Sequence, residues 1–118
     1  MPAAATRLVD ADTGEAVVAR LEIAGNPWTR FVGLMGRSGI EPDSALLLEP
    51  CNQIHMFFMR FAIDVLFLDR SRRVKRVMLN LKPWRISPLV FGARSVVELP
   101  AGTLADHSLE GRQLRLDP

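Results

Sequence analysis

The sequence predicts a mainly β fold: a small single-domain β-sandwich or partly closed barrel with one or two short helices. Two observations lead there. Apolar runs come in short pieces, and eight prolines and eight glycines cut them apart along the whole chain. The 118 residues, 48% hydrophobic and 24% charged, suffice for one core and leave no room for another, so residues 1–118 read as one domain.

The elements follow in chain order. TRLVDA and EAVVARLEIA flank the turn signal Asp12-Thr13-Gly14 and predict a β-hairpin, with Val17, Ala19, Leu21 and Ile23 sharing one face. Asn26 suits an N-cap, Pro27 the first helical position and Gly36 the stop, so WTRFVGLM reads as a short helix. Its apolar members Trp28, Phe31, Val32 and Met35 have helical spacing and are expected to face the core. ALLLE, the stretch IHMFFMRFAIDVLFLD at 54–69, RVKRVMLNL and ARSVVEL then read as strands between turns. Thr103 with Asp106 resembles a capping box for one helical turn, and Gly111 releases RQLRL as a last strand. The total is about six or seven strands, as in small sandwiches and barrels.

Composition narrows the function classes. No apolar stretch reaches the roughly 18 residues of a membrane helix, and MPAAATRLVDADTG lacks the basic and apolar regions of an export signal. Cys51 is the only cysteine, so no internal disulfide forms, and a reducing, cytoplasmic setting is expected. Residues 1–69 carry five Lys/Arg against nine Asp/Glu, or −4, whereas residues 70–118 carry ten against four, or +6. The stretch 70–94 holds eight basic residues and no acid. Such a patch fits nucleic acid, anionic lipid or another acidic partner, or a solvated hairpin that resists edge pairing. With Trp84 and Phe91 as the two aromatic residues there, a poor stacking platform, nucleic acid is the weaker expectation.

Within 54–69 the polar residues His55, Arg60 and Asp64 interrupt an apolar run. A bend at Phe61-Ala62 would let Arg60 and Asp64 pair as a buried ion pair or line a pocket together; a straight strand keeps them roughly 13 Å apart. Cys51 and His55, four residues apart, allow a nucleophile and base within reach, though buried inert cysteine is the commoner state. Met56, Phe57, Phe58 and Met59 read as core packing, with an exposed apolar face as the alternative. His55, His107 and Cys51 lack the close pairing of a structural zinc site, and Gly33 and Gly36 make no phosphate loop, so neither metal nor cofactor is expected.

GLMGR at 33–37, IHMFFMRFAIDVLFLDR at 54–70, LKPWR at 81–85 and VVELPAGT at 96–103 together resemble the prokaryotic family known as domain of unknown function 192, or uncharacterised protein family 0127. The resemblance runs from about Arg30 to Leu116 and implies a β-rich single domain of unknown function, with no reaction to carry over. Positions matching the family pattern are Arg37, His55, Phe57, Met59, Arg60, Asp64 and Glu98. Ala62, Met56 and Glu110-Gly111-Arg112 depart from it, which weakens any site built on a threonine hydroxyl or an aspartate there. Many similar proteins carry an export or lipoprotein signal, and none is expected here from MPAAATRLVDADTG. The first functional expectation is a non-enzymatic binding or accessory domain. Its ligand residues would be Arg37, His55, Arg60, Asp64 and Glu98, and its ligand a small anionic or polar molecule or a peptide. The alternatives are a small hydrolase using Asp64 or Cys51 with His55, and a basic accessory protein docking on nucleic acid or an acidic partner through 70–94.

Overall fold

The computed structural model describes residues 6–105 and 108–118. Seven strands form one sheet in the order β5-β4-β6-β3-β2-β1-β7: β1 Thr6–Asp10, β2 Ala16–Ala24, β3 Ser44–Leu48, β4 Ile63–Leu68, β5 Val74–Leu81, β6 Ser95–Pro100 and β7 Leu114–Asp117. All pairings are antiparallel except β2 with β3, which α1, Pro27–Val32, and the following loop connect as a crossover. The sheet curls until its two end strands meet. Val74 N–H bonds Arg112 O, Gly111 N–H bonds Val74 O and Leu114 N–H bonds Arg72 O at 2.9–3.0 Å, giving the partly closed barrel that the strand count predicts. The Arg112 guanidinium grips Asp10 through Nε at 3.0 Å and fastens β1 to the turn before β7.

Two cores occupy the two faces of the sheet. Every strand contributes to the barrel interior, with Leu8, Val18, Leu47, Leu66, Leu99 and Leu114 among its members. The outer face of β3, β4 and β6 is covered by irregular chain, where Leu34, Ile54, Met56, Met59 and Val90 pack on Leu46, Val65, Phe67 and Val96. Residues of β4 therefore alternate between the cores and all six are buried, which explains a continuous apolar run in place of an alternating one.

Several expectations are corrected. Residues 55–68 are not one strand: β4 begins only at Ile63, and the chain before it turns through Phe58, whose φ of 62° is left-handed. The hairpin forms, but register shifts in β1–β2 put Val17 and Val18 both in the interior, and Ile23, beyond the last β1 pair at Leu21, is exposed, so the predicted common face is broken. Asn26 caps α1 by accepting from Thr29 N–H at 2.8 Å, but the helix stops at Gly33, not Gly36, and buries none of its residues. Six residues make less than two turns, and the sheet beneath is already covered by Leu34 and Met59, so Trp28 stands 71% exposed. Residues 101–105 make turns in place of a capped helix, with Thr103 Oγ1 donating to Pro100 O at 2.7 Å. Asp106 and His107 lie outside the described residues.

Asp64 does not pair with Arg60. It sits in β4 on the barrel side, 1% exposed, and accepts from Asn80 N–H at 2.9 Å and from Gly102 and Leu104 N–H at 3.0 Å each. Arg60 points to solvent before the bend. Asp64→Asn is expected to destabilise the fold by about 3–5 kcal/mol, since it replaces an acceptor bonded to backbone donors by a group that is half donor. Arg60→Ala should stay within about 0.5 kcal/mol, and urea melts of the two and their double mutant should add.

Candidate functional site

Strand alternation puts Val96 and Glu98 of β6 on the outer face, while Val97 and Leu99 enter the barrel. Glu98 is thus carried into the outer core, opposite Val65 of β4 and Leu46 of β3. It is 4% exposed, and no hydrogen bond from any described residue reaches its carboxyl group, whose oxygens open onto a cavity of about 90 Å³. Burial, only partly offset by the Arg37 charge, pushes its pKa from 4.5 up to about 8, so the group is a neutral acid at pH 7, able to donate as well as accept.

The wall of this cavity comes from the end of α1 and from residues 51–59. Gly33, at a left-handed φ of 48°, brings its backbone close over the acid; a Cβ there would lie 3.4 Å from Glu98 Oε1. Cys51 is half-buried and donates its thiol to Gln53 O at 3.2 Å. Burial pushes the Cys51 thiol pKa up, helped by the nearby Glu98 and opposed first by the hydrogen bond with the Gln53 backbone and then by Arg30. His55 accepts at Nδ1 from Phe57 N–H at 3.2 Å, which leaves Nε2 as its donor. Its ring lies between Phe31, at 5.8 Å, and Phe57, at 5.2 Å, and the series continues from Phe57 to Trp84 and on to Phe58.

The expected residues are therefore divided. Glu98 and His55 share the cavity. Arg37 lies across the common wall of Val32, Gly33 and Leu34, in an open groove of about 880 Å³ whose charges are already paired as Arg37–Glu22 and Arg20–Glu41. Arg60 and Asp64 line neither space. Arg30, Phe31 and Gln53 also line the cavity: the helical spacing of Phe31 pointed to the core, and nothing in the spacing of Arg30 and Gln53 marks them. Among the described residues no group of His, Cys, Asp and Glu is placed to hold a metal ion, and no helix is long and apolar enough to cross a membrane.

Comparison with known proteins places these features in context. The family model described as DUF192, uncharacterized ACR, matches residues 8–116. A UPF0127 protein of Thermococcus sibiricus is 34% identical over 101 residues, covering 82% of this chain and 65% of the relative, so the chain spans just under two thirds of that protein. One from Pyrococcus furiosus is 32% identical over 109 residues, covering 87% and 90%. A crystal structure of a protein of unknown function from Novosphingobium aromaticivorans superposes with a TM-score of 0.78 at 18% identity, over 97% of this chain and 84% of the other. A Sinorhizobium meliloti structure, provisionally described as a transcription regulator, gives 0.75 at 26% identity over 93% and 90%.

Two outcomes are expected of the cavity. Thiol reagents should label Cys51 at neutral pH at least about tenfold more slowly than a free cysteine, because a raised pKa leaves little thiolate. From pH 4.5 to about 8 the unfolded chain releases the Glu98 proton while the folded chain keeps it. The stability held by that proton is complete below this window and lost as pH rises through it, on the order of 1 kcal/mol per unit. Melts of the natural protein should show this decline and those of Glu98→Gln should lack it.

Proposed function

The chain belongs to the DUF192 family, and on that footing we propose that it is a non-enzymatic binding domain whose ligand site is the cavity over Glu98. One observation carries the reading. The Glu98 carboxyl group has little access to solvent and no hydrogen-bond partner among the described residues, and its oxygens are reachable only from the small cavity, where a ligand's polar group would meet them. The cavity has room for one polar group of a ligand, not for a whole molecule. Protonated Glu98 and the His55 Nε2 side would bond a neutral acceptor such as a carbonyl, carboxamide or hydroxyl, while Phe31 and His55 offer ring faces to the apolar remainder. A small polar molecule or a peptide side chain has this make-up, and Arg30 at the rim would accommodate an anionic substituent.

The hydrolase alternative has less support. The Cys51 thiol is held in its protonated form, and Asp64 is enclosed with both oxygens engaged. Cytoplasmic residence stays part of the proposal and rests on the lone cysteine.

Glu98→Leu separates binding from folding. It should raise stability by about 1–3 kcal/mol, by removing a carboxyl group that loses most of its hydration on folding. It should also abolish the shifts that small amides and alcohols, screened by NMR, produce at His55 and Phe31 in the natural protein. A strongly destabilised Glu98→Leu, or shifts that persist in it, would contradict the site.

A further inference from the structure

The chain segments 51–57 and 84–94 run side by side over the outer core, joined by Met56 N–H to Arg85 O at 2.7 Å, Ser87 N–H to Ile54 O at 2.9 Å and Val90 N–H to Asn52 O at 3.0 Å. Ser87 and Val90 turn inward and are buried. Between and beside them Trp84, Ile86, Leu89 and Phe91 turn outward, Phe91 on a turn tip at 86% exposed. Phe58 joins this face with its ring 5.0 Å from that of Trp84. Both residues hold left-handed backbone, φ 62° and 67°, an unfavourable conformation for bulky side chains that here supports two rings facing water.

The two segments that carry this apolar face have charge of one sign. Neither residues 50–63 nor residues 70–94 contain an acid. Arg60, Lys82, Arg85 and Arg94 are exposed, and the Lys75 side chain lies against Gly92 beside the tip. Monomeric proteins seldom leave contiguous apolar surface bare, and its cationic border selects an anionic occupant. Nucleic acid is a poorer match, because Ile86 and Leu89 offer no flat face on which a base can stack. A bilayer with anionic headgroups meets both demands, as its interface accepts aromatic and aliphatic side chains and its phosphates attract arginine and lysine.

We propose that this face docks on an anionic lipid surface, with Phe58, Trp84, Ile86, Leu89 and Phe91 entering the headgroup region and Arg60, Lys82, Arg85 and Arg94 contacting lipid phosphates. The contact is peripheral, and none of its residues lines the Glu98 cavity that it adjoins, so either assignment stands or falls without the other.

Co-sedimentation with vesicles tests it, comparing phosphatidylcholine alone with mixtures containing about 30 mol % phosphatidylglycerol at about 0.1 M salt. The chain should bind the anionic vesicles, ignore the neutral ones, and release as salt rises. The double substitution Lys82→Glu with Arg85→Glu should weaken binding at least about tenfold, by reversing charge at the lipid surface. Phe91→Ser, at an exposed position, should weaken it similarly while leaving the thermal melt unchanged. Lipids carrying a brominated acyl chain should quench Trp84 fluorescence in a Trp28→Phe background. Absence of binding, equal binding to neutral vesicles, full binding by Phe91→Ser, or stronger binding to a single-stranded oligonucleotide than to anionic vesicles would overturn the assignment.

Discussion

Burying the Asp64 carboxyl group among backbone N–H donors is the constraint on which the rest of this structure depends, and a second buried acid, Glu98, lies on the opposite face of the neighbouring strand. Asp64 of β4 and Glu98 of β6 lie one register step apart, since Asp64 pairs with Leu99 and Val65 with Glu98. Asp64, on the barrel side, receives three backbone N–H groups. Those donors belong to the end of β5 and to the turn after β6, so one carboxyl group fixes where both segments stop and how the chain turns beside them. With β5 fixed at one end by Asp64 and at the other by its bonds to residues 111–114, the sheet is held in its curl.

Glu98 has no such partners, and the contrast gives the two acids different meanings. The outer face supplies apolar walls, a glycine backbone and a thiol, so the acid stays protonated and available. Nothing in barrel closure requires a carboxyl group at that position: Val96, on the same face two residues earlier, is simply apolar. The irregular segments above it serve two surfaces at once. Their inner residues seal the outer core, and their outer residues carry aromatic rings to the solvent.

The sequence carried the strands and hairpin clearly, because apolar runs such as ALLLE and SVVEL end at Pro, Gly or charge, and Asn26-Pro27 marked the helix start through a side-chain bond that does form. Asp64 was recognisable as buried from its apolar neighbours. Its partners were not, because backbone N–H groups 16 to 40 residues away leave no side-chain signature. Trp28 and Phe31 were expected in the core, and so was Phe58, with an exposed apolar face as the alternative, since hydrophobicity does not distinguish a ring that packs inward from one held outward, as Phe58 and Trp84 are on left-handed backbone. The parallel β2–β3 pairing follows from tertiary closure and has no local signal. Glu98 entered through the family resemblance; the physical signal was a lone acid in the strand SVVELP, whose other residues are uncharged and which both cores bury.

The most direct test is a carbon-detected NMR titration of the Glu98 side-chain carboxyl group in the folded, natural protein. A protonated signal that persists through neutrality, with a midpoint near the value of about 8, is the predicted result. A midpoint at or below the ordinary 4.5 would mean that the carboxylate is ionised and partnered, and would contradict the division between a structural and an available acid.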